Sequence, residues 1–513
     1  MNKHYISVLG TGNYHECTYA LIDANDVGKQ IDNSKIRKTK YVQSAMFELI
    51  CKDFDKDDRV TIFVTPESKS KHWESLKEEL DKINSDLNIN CVIKPVDIRE
   101  ALSDEQQWEN FNIMYDWINE GEELIVDVTH GFRILPMQIF SILSYAETLK
   151  NIVVRCVYYG MFEQPFGCLD GKYISYEELD KKYRIDRNRY SIEVHNPLID
   201  YKNYLTISKL SSAAHSFKNT GDAKLLKKIS TESKVKRFKE KDNQRYQSEK
   251  VIFEKINKLC ESLDDISDTI RCARGSYQGE KERSVQKAVN MYNSLKNEGI
   301  TDVLNETEAI KNEAKAIKNI VNYIEKFVDK YFENVGDDAD DLETGFSIVK
   351  WCISFDIIQT GFTALRETII SWIYSLCDKA ELKEQYSLYL RYKKSKKKNS
   401  DTDTENDLVS EDDIKDTDFN ERDLREFVNW GFGIKNSNPD GIIKEEREIP
   451  FYEYFANVAG KDKWDSICNV AKKIRESRND INHFGFSSTV SKTNNLKKHL
   501  KEYYDELLEL YNS

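Results

Sequence analysis

Seven consecutive positions, Asp127-Val128-Thr129-His130-Gly131-Phe132-Arg133, hold an acid, a hydroxyl, an imidazole, a glycine and a guanidinium. Gly131 allows positive φ or close backbone approach, Thr129 and His130 offer hydrogen bonds suited to a ribose or phosphate, and Arg133 offers a planar fork for a phosphate. The apolar run Leu124-Ile125-Val126 precedes this turn and a helix-like segment follows it. Open α/β sheets take their ligands beyond the carboxyl ends of the strands, where the first N–H groups of a helix face an anion. A purely structural reading competes: Asp127 or Thr129 caps a helix starting near Ile134, and His130 and Arg133 lie on the surface.

A second cluster sits near the carboxyl end, in Ala471 to Phe484. Apolar Ala471, Ile474 and Ile481 mark one side of an amphipathic helix, and Arg475, Arg478, Asn479, Asn482 and His483 occupy the others. Arg478 and His483, five positions apart, are offset by roughly 140° around a helix axis. Asn482 follows Arg478 by four residues and His483 follows Asn479 by four, so neighbouring ridges carry polar pairs. This set suits metal-independent RNA cleavage. A histidine moves a proton at the 2′-hydroxyl or the leaving oxygen, and an arginine stabilises charge on the phosphate. The products would be a 2′,3′-cyclic phosphate and a 5′-hydroxyl. Taken alone, an Arg-x4-His spacing is common, and a surface helix with a capping histidine is the better explanation of it.

The elements that must position these residues divide the chain in two. Up to about residue 190, β-branched runs alternate with helical segments, which predicts strands over 5–9, 59–64, 89–96, 124–128 and 152–159 with helices between them. That order implies a Rossmann-like layer structure with a parallel sheet, closed by a hairpin over 160–176. After Pro197 strand-like runs disappear and charged helical segments take over, so the domain boundary is expected at 185–197. The domains are then 1–190, a helical connector 191–345, and a helical core 346–513. From 391 to 423 a lysine run followed by an acidic run predicts a mobile charged loop. Its lysines are candidate RNA contacts, with the acidic run as their competitor.

At 513 residues the chain exceeds one ordinary core. Lys+Arg 76 against Asp+Glu 89, a formal net charge of -13, argues against broad wrapping of nucleic acid but leaves room for a local RNA site. The 10 cysteines show no close pair at zinc-ligand spacing, and read as reduced thiols. Neither a long apolar segment near Met1 nor a stretch of roughly 18 apolar residues is present, so a cytoplasmic protein without membrane attachment is expected. No metal or cofactor is called for.

The two clusters together resemble the CARF–HEPN ribonucleases of type III CRISPR systems. Asp127 to Arg133 is similar to the DxTHGxR signature of that family, and Arg478 to His483, with Asn479 after the arginine, is similar to the HEPN Arg-x4-6-His motif. Asn196-Pro197-Leu198-Ile199-Asp200 and Phe217 to Ala223 resemble the family's entry into its helical half. The resemblance implies an endoribonuclease that cleaves single-stranded RNA once a cyclic oligoadenylate binds the CARF domain, with cyclic tetra-adenylate as the first expectation and cyclic hexa-adenylate the second. It places the ligand at Gly10, Thr11, Gly12, Asn13, Thr129, His130, Gly131 and Arg133, and makes Arg478 and His483 catalytic with Asn479 in support. It also implies a homodimer or higher even oligomer, in which a two-fold ring meets a two-fold interface and the offset arginine and histidine converge from two chains.

Gly10-Thr11-Gly12-Asn13-Tyr14-His15 lacks the third glycine of a dinucleotide fingerprint, which weighs against a nicotinamide or flavin enzyme. The alternative from another class is a sensing module that binds a partner without cleaving RNA. A third reading lets the first domain slowly cut its own ring ligand, with Thr11, Asn13 or Thr129 orienting a ribose hydroxyl. Phe362 to Ile370 is expected to be a buried helix in which Arg366 and Glu367 form an internal ion pair or support the site.

Overall fold

The structure, a computed structural model, describes residues 1–23, 26–131, 134–183, 193–238, 244–274, 284–297, 311–333, 335, 341–398, 419–434, 445–482 and 491–513. They form two compact units, Met1–Ser208 and Lys209–Ser513.

In the first unit, β1 (Lys3–Leu9) is the central strand. β4 (Arg59–Val64) and β5 (Val92–Asp97) lie on one side of it, and β6 (Glu123–Asp127) and β7 (Val153–Gly160) lie on the other, all parallel. Among these five strands the chain fills β1, β4 and β5 in turn and then crosses to β6 on the other side of β1, so the strand order reverses there. Period-two alternation buries both faces. Tyr5, Leu9, Val60 and Ile62 pack against α1 (Val42–Ile50) and α3 (Glu74–Asp86). Ile6, Val8, Phe63 and Val126 pack against α4 (Asp104–Asp116) and α5 (Ile134–Leu149). Burial on both faces explains why these strands read as nearly continuous apolar runs. The short helix α2 (Pro66–Ser68) leads through a π-turn, Lys69–Trp73, into α3.

The sheet is mixed, where a parallel one was expected. β10 (Glu193–Asp200) runs antiparallel to β7 and parallel to β2 (Cys17–Ala20), which pairs antiparallel with β3 (Ile36–Thr39). The expected closing hairpin is β8 (Phe166–Leu169) and β9 (Lys172–Ile174), followed by α6 (Tyr176–Tyr183). β10 corrects the expected end of the sheet. Its residues His195 to Pro197 pair with β2, and Leu198 to Asp200 pair with β7. Pro197, which has no N–H to donate, sits where the strand changes partner. A proline that looked like a boundary is therefore inside the sheet.

The helix α6 is followed, after β10, by α7 (Lys202–Thr220), which carries the chain into the second unit. There α8 (Lys224–Phe238), α9 (Gln244–Arg271), α10 (Val285–Asn297) and α11 (Lys311–Phe332) surround one apolar cluster that includes Phe217, Leu263, Tyr292, Val328 and Trp351. A second cluster, with Phe362, Phe427, Phe455, Trp464 and Leu500, joins α12 (Asp341–Ser354), α13 (Ile358–Leu376), α14 (Lys379–Lys398), α15 (Glu421–Gly431), α16 (Ile449–Ala459), α17 (Lys461–Asn482) and α18 (Thr493–Asn512). The basic half of the expected charged loop, 391–398, is the last two turns of α14 instead. Tyr389 and Tyr392 anchor those turns against Trp430 and Phe451, and Lys396 pairs with Glu445, so packing on an aromatic ridge overrides the charge run. Residues 399–418 lie outside the described residues. Among the described residues no helix is long and apolar enough to cross a membrane.

Candidate functional sites

The ends of β1, β4 and β6 meet at one cavity of about 200 Å³, lined by Leu9, Gly10, Thr11, Gly12, Thr65, Thr129, His130, Gly131 and Leu135. Every lining residue belongs to the loop after one of these strands, or to a strand or helix end beside it. Six sequence-derived candidates, Gly10, Thr11, Gly12, Thr129, His130 and Gly131, are thereby brought together. Asn13 is exposed and stands outside the lining. Arg133 lies outside the described residues.

The turn after β6 is built from beneath by Asp127, which is buried. Its carboxylate accepts hydrogen bonds from Ser7 Oγ at 2.6 Å and from the Thr129 backbone N–H at 2.9 Å. Burial raises the Asp127 pKa, which these hydrogen bonds partly oppose. Thr129 Oγ1 accepts the Gly160 N–H at 2.8 Å and so ties the turn to the end of β7. The same hydroxyl donates to the Asp127 carboxylate, so Thr129 joins the turn, the buried acid and the end of β7. Gly131 has φ of +108°, and an added Cβ would stand 3.0 Å from Val8 Cγ1, so the turn requires glycine here on both counts.

The His130 ring is largely buried. Burial lowers its pKa, the Asp127 carboxylate opposes that shift, and the imidazole is held neutral. Its Nε2 has no hydrogen-bond partner among the described residues. Tyr14 stands edge-on to both His130 and His72, with ring centroids 4.8 Å apart in each pair, and its hydroxyl accepts the Gly10 N–H at 2.9 Å. Burial raises the Tyr14 pKa and lowers that of His72. These neutral rings brace the glycine turn. Thr65, Tyr14 and His72 are parts of the site that the sequence reading missed. Thr65-Pro66-Glu67-Ser68 carried a legible signal, since a threonine before proline at a strand end is a helix cap, and Thr65 and Ser68 form a capping box. Nothing local marked Tyr14 or His72.

Residues 4–163 match the family model described as CRISPR system endoribonuclease Csx1, CARF domain. The amino-terminal unit is a CARF domain. The CRISPR-associated protein MJ1674 of Methanocaldococcus jannaschii is 23% identical over 317 residues, which are 61% of this chain and 38% of that protein. The chain therefore spans well under half of that relative's length. Enterococcus italicus Csm6, solved bound to cyclic hexa-2′-fluoro-hexa-dAMP, aligns over 99% of this chain and 93% of its own at 11% identity, with a TM-score of 0.34.

In the helical unit, α17 buries Trp464, Ile467, Cys468, Val470 and Ile474 and presents Arg478 half-buried, with Asn479 exposed. His483 lies outside the described residues, so its position relative to Arg478 is not part of the geometry. Burial lowers the Arg478 pKa, as does the neighbouring Arg366, and Glu367 opposes them. Arg366 and Glu367 turn to different partners, which corrects the internal ion pair. Arg366 donates to Asn429 Oδ1 from Nε at 3.2 Å and from a terminal nitrogen at 2.8 Å, while Glu367 stands 3.6 Å from Arg425. Consecutive positions on α13 point about 100° apart, and each meets a different residue of α15, one turn from the other. Arg366, Lys472 and Arg475 line a small groove with Asn429, which leaves a cluster of cations beside Arg478.

Proposed function

We propose that this chain is an endoribonuclease of type III CRISPR antiviral defence, switched on by a cyclic oligoadenylate. The observation that carries the reading is the cavity shared by the ends of β1, β4 and β6, within residues that match a CARF model named for an endoribonuclease. Its glycines let a sugar-phosphate backbone approach main-chain N–H groups, and the neutral His130 offers a ring nitrogen or N–H to an adenine edge or ribose. A ring of adenylates has two-fold symmetry, so a homodimer presents the same cavity twice to one ligand.

Residues 346–513 are the ribonuclease core in this reading, with 191–345 as connector. Arg478, His483 and Asn479 form the cutting site. Arg478 neutralises the phosphate, and Arg366, Lys472 and Arg475 hold the RNA backbone beside it. His483 moves the proton between the 2′-hydroxyl and the leaving oxygen, which yields a 2′,3′-cyclic phosphate and a 5′-hydroxyl. Ligand binding shifts two protomers toward the arrangement in which their motifs converge. This chemistry draws on side chains alone.

A fluorescent single-stranded RNA incubated in EDTA with cyclic tetra- or hexa-adenylate tests it. Cleavage is expected only with a ring, and His483→Ala is expected to lose it while still binding the ring. Cleavage that ignores every ring removes the activation claim. Binding without any cleavage leaves a sensing module instead.

A further inference from the structure

The helical unit holds a cavity of about 230 Å³ that the mechanism above does not use. Ile270, Val285 and Ile348 give it an apolar wall, and Thr344, Glu367 and Arg425 supply polar groups. Thr344 is 2% exposed, yet its hydroxyl has no hydrogen-bond partner among the described residues. A neighbouring hydroxyl is engaged: Thr368 Oγ1 donates to the Ala364 carbonyl at 2.8 Å. An unpaired buried hydroxyl at a cavity wall is a standing cost that a ligand atom would relieve.

The location narrows the ligand. Glu367 stands at the exposed rim of this cavity and is also the charged neighbour of Arg478. The volume falls below the roughly 300–1,000 Å³ of sites for drug-sized ligands, which suits a single planar base. RNA is read by splaying bases out of the stack onto apolar or guanidinium surfaces and hydrogen-bonding their edges. We propose that this cavity receives one unstacked base of the RNA substrate, beside the phosphate held by Arg478, and so sets the cleavage preference. The inference rests on the proposed ribonuclease reading. Glu367, an acceptor, takes the exocyclic amino group of adenine, cytosine or guanine, and Thr344 meets a second edge atom; where cytosine carries its amino group uracil presents the carbonyl O4, which the carboxylate repels.

Cleavage sites of the ring-activated full chain in a randomised RNA pool, mapped by sequencing, test this. Wild type should disfavour uracil at one position next to the cut. Thr344→Val should flatten that preference by roughly three- to tenfold, and Glu367→Gln should readmit uracil, because an amide can donate. Thr344→Val breaks no hydrogen bond among the described residues, so its melting temperature should not fall, and a merely structural threonine would leave the preference untouched. Identical preferences in all three proteins overturn the proposal. Binding of uncleavable 2′-deoxy oligonucleotides separates this failure from that of the ribonuclease reading. Weaker discrimination between adenine and uracil in Thr344→Val sustains the base pocket even where no RNA is cut, and equal discrimination removes it.

Discussion

At the scale of residues, the turn after β6 is held by one side chain, Thr129, which bonds both Asp127 and the end of β7. Thr129 Oγ1 accepts the Gly160 N–H, so Thr129→Val leaves that N–H unpaired, at about 1–3 kcal/mol. Ring binding measured by calorimetry should weaken in Thr129→Val and survive in Thr129→Ser; equal affinities in both would detach this hydrogen bond from the site. At the opposite ends of the strands, burial would raise the Glu122 carboxyl, but His4 at 3.1 Å and Arg59 at 2.8 Å hold it down at about 2. A carboxyl depressed by folding stabilises the fold above its ordinary value of 4.5, and this contribution of roughly 3 kcal/mol is lost as pH falls toward 2. Burial lowers His4, whose unfolded form takes up a proton first below about 6.5, so it destabilises in the same direction. Melting temperature of the CARF domain should therefore fall from pH 6.5 downward. Glu122→Gln should melt lower at pH 7 and lose less between pH 4.5 and 3 than wild type; parallel curves would exclude the Glu122 contribution.

At the scale of elements, helix positions in the second unit are set by close approaches that demand a missing side chain. Gly361 on α13 leaves so little room that an added Cβ would lie 2.5 Å from Leu500 Cδ2 on α18. Gly361→Ala must push α18 away or force Leu500 off its rotamer, a cost of about 1–3 kcal/mol. Thermal unfolding of the full chain should show the helical transition lowered and the CARF transition unmoved. An unchanged helical transition would mean that Leu500 adapts freely. The apolar strand runs, the hairpin over 160–176 and the long helices were legible because each is announced by local periodicity or turn chemistry. β10 was not, because a proline and two polar residues interrupt it, and it is a strand only through partners distant in sequence, in β7, in β8 and, nearly 180 residues away, in β2.

At the scale of the whole molecule, the proposed function assigns sensing and cutting to the two compact units of one chain. A ring that binds the folded protein alone stabilises it by mass action, by about 2.7 kcal/mol at a hundredfold excess over its dissociation constant. The right ring should raise the CARF melting temperature by several degrees, and light scattering should report an even oligomer. A ring that activates cleavage without raising that temperature, or a monomer that cleaves with full activity, would contradict a shared ligand between protomers.

By itself, the sequence determined which residues were candidates for chemistry and which kind of element carried each. Asp127 to Gly131 follows an apolar strand, and Arg478 with Asn479 lies on an amphipathic helix, because periodicity and turn residues are local properties of the chain. Only the tertiary structure decided which candidates share a site. It set Gly10, Thr65 and Thr129 around one cavity and left Asn13 outside, and it sent Arg366 and Glu367 to separate partners. Those choices depend on strand order and helix packing, which join residues through space across separations that no local pattern in the chain encodes.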